Sequence, residues 1–101
     1  MFLIVLTFTS RKTEAPAFMA AHNRWLQRGF DDRVFLLAGG LDAGAGGALL
    51  AHGTTLEALR ERVAQDPFVA EGIVDAEIRQ VRPNRADPRL QFLLATPEVA
   101  Q

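Results

Sequence analysis

The chain has 101 residues, of which 49% are apolar and 23% are charged, and its formal net charge is −1. This length fits one domain, and the charge argues against a nucleic-acid partner, because binding phosphates requires a basic surface. The chain has no cysteine, which excludes disulfides, thiol nucleophiles and zinc–thiolate sites and favours a reducing cytoplasm.

The sequence begins with a predicted strand and a predicted helix. Residues Phe2–Phe8 are apolar on both alternating faces, which predicts a strand buried on both sides. The run is too short for a membrane span, which takes about 20 residues. From Glu14 the apolar residues recur with a helical period, and we expect Gly29 to end this helix. Either Thr13 or Ser10 could cap its start.

Two further strands are predicted at Val34–Ala38 and Ala48–Ala51. The glycine-rich segment 39–47 joins them. We interpret it as a mobile hairpin loop, with a lid over a cleft as the alternative.

The second half of the chain predicts one more helix and one more strand. Thr54-Thr-Leu-Glu57 has the pattern of a capping box, and Pro67 is expected to end the helix that follows. Ile73–Val81 alternates apolar and charged residues, as expected of an edge strand. Residues 83–101 form an extension, and its apolar patch Leu90–Ala95 fits either a fifth strand or a helical turn.

The resulting order, β-α-β-β-α-β, predicts an α+β ferredoxin-like sandwich with a core at residues 1–82. In this fold both helices cover one face of an antiparallel sheet. Because the first two strands are apolar on both faces, the other face needs a cover. We therefore expect a homodimer packed sheet to sheet.

Few side chains could carry chemistry. The only serine, Ser10, has no nucleophile elbow around it, and the glycine-rich segment lacks a phosphate-binding ending. His22 and His52 have no metal-ligand spacing, so no metal and no cofactor is predicted. We interpret His52 as a surface loop residue.

His22 and Asp66 are the two candidates for proton transfer, and each has a structural alternative. His22 lies in the apolar arc of the first helix, where it is either a core residue bonded to a backbone carbonyl or a general acid/base. Asp66 precedes Pro67, so it either shapes a turn or orients His22 as a triad aspartate orients its histidine.

Three features give the chain a resemblance to the YciI-like (YCII-related) family of the dimeric α+β barrel superfamily. They are His22 in the first helix, the segment Ala38-Gly39-Gly40-Leu41, and the turn Asp66-Pro67-Phe68-Val69-Ala70-Glu71-Gly72. The resemblance covers about residues 1–82 and implies a His–Asp active site, here His22 and Asp66, in a cleft of each protomer. The family includes a dehydrochlorinase that acts on a chlorinated hydroxyquinol without a metal. Many relatives have proline where this chain has Gly40.

Three functions fit these residues. The first is a cofactor-independent lyase or isomerase that acts on a small cyclic or aromatic substrate, with His22 as acid/base and Asp66 orienting it. The cleft would then be lined by aromatic residues and the paired glycines, namely Phe18, Trp25, Phe68, Gly39 and Gly40. The second is a non-catalytic small-molecule-binding module that uses the same cleft. The third, a monooxygenase, has less support because the chain has no tyrosine.

Overall fold

The computed structural model describes residues 1–94 and contains one four-stranded antiparallel sheet in that part of the chain. The strands are β1 (Phe2–Phe8), β2 (Phe35–Gly40), β3 (Gly46–Ala51) and β4 (Val74–Gln80). The helices are α1 (Ala15–Asp31), α2 (Leu56–Ala64) and the short α3 (Pro67–Ala70). The strand order β2-β3-β1-β4, with every neighbouring pair antiparallel, is the ferredoxin-like arrangement expected from the sequence.

The core lies between the sheet and the helices. Phe2, Ile4 and Leu6 alternate along β1 and are at most 4% exposed. They pack with buried side chains of the helices and the other strands, including Trp25 and Leu59. The period-2 alternation of a strand therefore gives β1 one fully buried face.

The opposite face of the sheet is apolar and open. Leu3 is 41% exposed and Leu37 is 61% exposed. Their cross-strand neighbour Leu50, together with Val5 and Ala48, continues the same surface. We call these five residues the open face. The core and the helices that pack on it lie on the opposite side of β1 from the open face.

The glycine-rich connection is shorter than predicted. Strand β2 runs on to Gly40 and β3 begins at Gly46, so four of the glycines lie within paired strands. The loop itself is reduced to a 3-10 turn at Asp42–Gly44. The expectation of a mobile hairpin loop over residues 39–47 is therefore wrong in extent, because flexible residues can still pair when neighbouring strands set their register.

The first helix does not end at Gly29. Gly29 is buried inside α1, and a Cβ added there would lie 2.1 Å from the Phe35 ring. Glycine is present here because the helix passes close to β2, and the left-handed residue after the helix is Arg33, with φ 60°. Neither Thr13 nor Ser10 caps the start, since the N-cap position is Glu14 and it has no side-chain cap bond.

The cap of the second helix is one residue later than predicted. Thr55, rather than Thr54, occupies the N-cap position of α2, and its hydroxyl accepts a hydrogen bond from the amide of Ala58 at 3.1 Å. The helix ends at Ala64, before Pro67. The expected capping box with Glu57 does not form, because Glu57 is not at the third helical position counted from Thr55.

Strand β4 and the C-terminal extension complete the described chain. β4 pairs only with β1 and is an edge strand, as predicted. Pro88–Leu93 forms a 3-10 helix whose Phe92 ring packs edge-on against His52, at 5.3 Å between centroids. The predicted patch Leu90–Ala95 is thus helical as far as Leu93, and Ala95 lies outside the described residues. Among the residues described, no helix is long and apolar enough to cross a membrane.

Candidate active site

His22 on α1 is hydrogen-bonded to Asp66, which directly precedes α3. Nδ1 of His22 lies 2.7 Å from Oδ1 of Asp66. The carboxylate is fully buried, whereas the His22 side chain keeps 12% exposure. The alternative of a core histidine bonded to a backbone carbonyl is therefore wrong, because the partner of His22 is a carboxylate.

The turn Asp66-Pro67-Phe68 positions the carboxylate by local backbone chemistry. Asp66 is the N-cap of α3, and its Oδ1 accepts the amide hydrogen of Phe68 at 3.0 Å. Pro67 follows at the first helical position, where its fixed φ fits and no amide hydrogen is missed. The same oxygen thus accepts both the hydrogen bond that shapes the turn and the hydrogen bond of His22.

Phe68 fixes the plane of the imidazole. Its ring is stacked on His22 with centroids 4.1 Å apart and planes 5° from parallel. The ring of Phe8 lies near Phe68, with centroids 6.2 Å apart and planes tilted by 52°. Together with the bond to Asp66, this stacking restrains His22 in one orientation, as preorganised catalysis requires.

The second carboxylate oxygen of Asp66 is a buried acceptor. Oδ2 has no hydrogen-bond partner among the described residues. A buried acceptor without a partner is costly, and such groups concentrate at functional sites. The two oxygens of Asp66 therefore differ: Oδ1 accepts hydrogen bonds from His22 and Phe68, whereas Oδ2 accepts none from the described residues.

His22 borders two adjoining cavities of about 200 and 220 Å³. Both are lined by Leu6, Gly39 and Gly47 as well as by His22. Because Nδ1 is bonded to Asp66, Nε2 is the ring nitrogen available to a molecule in these cavities. An imidazole that donates through Nδ1 carries its lone pair on Nε2, so the geometry can accept a proton there.

Gly40 and Gly47 form the floor of this space. They are cross-strand neighbours, and Gly47 also faces Leu6 of β1 across the other ladder. By strand alternation they present the same face as Leu6, toward α1. Two neighbouring positions without side chains leave open the volume that His22 borders.

Of the six residues predicted to accompany His22, four bond to it or line the cavities beside it. Asp66, Phe68, Gly39 and Gly40 all bond, stack on or line the cavities at His22.

Phe18 and Trp25 do not line these cavities, contrary to the expectation. Trp25 nevertheless stacks beside His22, with ring centroids 5.8 Å apart. It is 4% exposed and donates its indole N–H to the carbonyl of Arg62 at 2.9 Å, so it joins α1 to α2 in the core. Phe18 is partly buried against that core. Helical periodicity places residues on the same apolar arc, but the arc is wider than the cavity.

Several lining residues were not identified from the sequence. Met19 and Leu26 stand three residues before and four residues after His22 on α1, so helical spacing alone could have found them. The others come from strands and could be found only with the sheet register: Leu6, Phe8, Ala38, Gly46, Gly47, Ala48, Leu49 and Val74. Asn23, next to His22, also contributes.

Arg11 and Lys12, in the segment between β1 and α1, form hydrogen bonds to two neighbouring turns beside the site. Arg11 donates to the Glu14 carboxylate and to the carbonyl of Glu71, which anchors the end of the Asp66 turn. The hydrogen bond between Arg11 and Glu14 lowers the pKa of Glu14 and raises the pKa of Arg11 from their ordinary values. Lys12 donates to the carbonyl of Gly44 at 2.9 Å and so ties the short hairpin turn to the same segment.

Another cavity lies at the opposite end of β1 and lacks the means for acid/base chemistry. Its volume is about 260 Å³, and it is bordered by Met1, Phe2 and parts of the chain at 53–56 and 80–83. None of its lining residues is a histidine or a carboxylate. In the described part of the chain, no group of three or more histidine and acidic residues could hold a metal ion.

The fold and the site define a ferredoxin-like α+β protein with a buried His–Asp pair beside an apolar cavity. The family model of the YCII-related domain matches residues 1–84, so the chain belongs to this family. This match agrees with the resemblance seen in the sequence.

A solved structure shares the fold. It is 5-chloro-2-hydroxyhydroquinone dehydrochlorinase (TftG) from Burkholderia phenoliruptrix AC1100, in complex with 2,5-dihydroxybenzoquinone. The TM-score is 0.66 at 19% sequence identity, and the match covers 79% of this chain and 91% of that one. A comparison with curated proteins gives no match.

Proposed function

We propose that this protein is a small-molecule enzyme of the lyase or isomerase type, in which His22 moves a proton and Asp66 orients it. The observation that carries the proposal is the 2.7 Å bond between His22 Nδ1 and Asp66 Oδ1 beside a cavity. Loss of a proton from the substrate to Nε2 would make an imidazolium, which the Asp66 carboxylate stabilises. Return of that proton at another atom gives an isomerase, and departure of a leaving group gives a lyase.

The structural neighbour supports this class of reaction. TftG is a dehydrochlorinase, and removal of hydrogen chloride requires that a proton leave the substrate together with chloride. A positioned base contributes typically 10²–10⁴-fold to such a step. At 19% identity the neighbour suggests a reaction class for testing, and it does not carry its substrate over to this chain.

The proposed assembly is a homodimer through the open face. Leu3 and Leu37 would each bury a large exposed apolar side chain, and Leu50 lies between them across the ladders. A two-fold axis lets the same patch cover itself, which is the commonest closed arrangement. Two sheets packed in this way would make the α+β barrel that the family resemblance implies.

The test is turnover with matched histidine variants. Wild type is incubated with small cyclic compounds that carry an acidic C–H or a halide, 5-chloro-2-hydroxyhydroquinone among them, while halide release and solvent-deuterium incorporation are followed. We expect His22→Gln to lower kcat by about 10²–10⁴-fold. His52→Gln is the control, because His52 packs against Phe92 at a distance from the site.

The alternative function, a binding module without catalysis, makes a different prediction for the same experiment. A compound would bind the wild type without turnover, and His22→Gln would change affinity alone. Equal turnover in wild type and His22→Gln would contradict the role of His22.

A further inference from the structure

The cavities beside His22 offer very few polar side chains. Of their lining residues, only His22 and Asn23 carry a polar side chain. The remaining side chains are apolar or absent: Leu6, Phe8, Met19, Leu26, Ala38, Ala48, Leu49, Phe68, Val74 and the glycines. A ligand with several hydroxyl groups would therefore bury some of them without a partner, and this is unfavourable.

The available space is also small. The cavity that includes Gly40 measures about 220 Å³, whereas sites for drug-sized ligands measure roughly 300–1,000 Å³. The floor at Gly40 and Gly47 lies beneath His22 and has no side chain, so a compact apolar group fits against the backbone of β2 and β3. A ligand held in this one cavity is therefore a single small ring or a compound of similar size.

We propose that the cavity beside His22 binds a small, mostly apolar molecule with one hydroxyl group, which contacts Nε2 of His22 while the apolar body lies over Gly40 and Gly47. This proposal rests on the proposed function in that it places the reacting group at His22. It differs from the chemistry of 2,5-dihydroxybenzoquinone, the ligand named for the structural neighbour, whose oxygens surround the ring.

Gly40 is the position at which the floor can be filled. A Cβ added to Gly40 would have the Gly46 carbonyl at 3.9 Å as its nearest neighbour, which is ordinary contact. Gly46 cannot serve, because a Cβ there would lie 1.8 Å from the carbonyl oxygen of Leu6. Gly39 is the matched comparison, because only its backbone lines the cavities. An added Cβ meets nothing within 4 Å, and strand alternation directs it to the open face.

The experiment measures the affinity of phenol, resorcinol and phloroglucinol by NMR titration of the full chain. These compounds share one ring and carry one, two and three hydroxyl groups. We expect the Kd to rise by roughly fivefold or more with each added hydroxyl, as for burial of an unpaired polar group. Gly40→Val should weaken phenol binding by about tenfold or more, and Gly39→Val should weaken it less.

Toluene separates the contact with His22 from apolar burial. Wild type should prefer phenol to toluene by roughly fivefold or more, and His22→Phe should lose that preference while it still binds toluene. No binding of phenol, equal or tighter binding of phloroglucinol, or a larger effect of Gly39→Val than of Gly40→Val would overturn the proposal. If the three affinities follow the predicted order but no compound is turned over, the result would contradict the proposed enzymatic function and still support the proposed ligand class.

Discussion

Oδ1 of Asp66 accepts two hydrogen bonds, one from Nδ1 of His22 at 2.7 Å and one from the amide of Phe68 at 3.0 Å. A single buried oxygen therefore links α1 to the first turn of α3. The ring of Phe68 then stacks on the imidazole that its own backbone helps to place. Three consecutive residues, Asp66-Pro67-Phe68, supply the acceptor, the turn and the stacking surface of the site.

Removing this oxygen should destabilise the protein. Asp66→Ala leaves His22 Nδ1 and the amide of Phe68 without their acceptor, and we expect a loss of about 1–3 kcal/mol in the free energy of unfolding. Asp66→Asn retains an oxygen that can accept both bonds and should lose less. Urea denaturation of the two variants measures the difference, and equal stability of Asp66→Ala and wild type would show that the bonds contribute nothing.

The open face should control the oligomeric state. Leu50→Asp places a charge at the centre of the apolar surface, where burial of an unpaired charge opposes association. We expect this variant to be monomeric at concentrations at which wild type is dimeric, as measured by sedimentation equilibrium.

Phe30→Glu is the control for this prediction, because Phe30 is 36% exposed on α1, in the helical layer. It should leave the dimer intact. A monomeric wild type at micromolar concentration would contradict the proposed assembly.

The close approach of α1 and β2 should make Gly29 intolerant of any side chain. Gly29→Ala brings a Cβ to 2.1 Å from the Phe35 ring, and overpacking of this kind costs about 1–3 kcal/mol. Replacing the ring as well, in Gly29→Ala with Phe35→Leu, should destabilise less than the sum of the two single changes. Strict additivity in thermal or urea unfolding would show that the two residues are not in steric conflict.

The start of α2 provides a test of the cap. Thr55→Ala removes the acceptor for the Ala58 amide and should cost about 1 kcal/mol, within the range measured for other N-caps. Thr54→Ala, one residue earlier, is the matched control and should change the free energy of unfolding much less. A larger loss of stability for Thr54→Ala than for Thr55→Ala would instead support the capping box with Thr54 as the N-cap that the sequence suggested.

The sequence predicted the order of elements, and its family resemblance implied the His–Asp pair. Prediction failed where distant parts of the chain decide the outcome. The apolar run Phe2–Phe8 and the turn at Asp66 are local patterns, so both could be identified. A glycine at position 29 fits two roles equally well from the local sequence: it could end the helix, or it could let the helix lie close to an aromatic ring. Only the tertiary position of Phe35 distinguishes these two roles.

The cavity was harder to predict than the pair. Trp25 and Phe18 lie on the apolar arc that includes His22, yet Trp25 is buried against α2 through its bond to Arg62. The floor of the cavity depends on the register that places Gly40 opposite Gly47. Glycines in a loop and glycines in paired strands look alike in sequence, because their pairing is decided by the flanking apolar residues.

The most direct test of the His22–Asp66 account is the nitrogen-15 NMR spectrum of the imidazoles, with His52 as the internal reference. In the neutral ring of His22 we predict the proton on Nδ1, donated to Asp66, and an unprotonated Nε2 whose resonance shifts when phenol is added. Asp66→Ala should remove the preference for this tautomer. A neutral His22 that carries its proton on Nε2, or an Nε2 resonance indifferent to every ligand that binds, would contradict the assignment of His22 as the base.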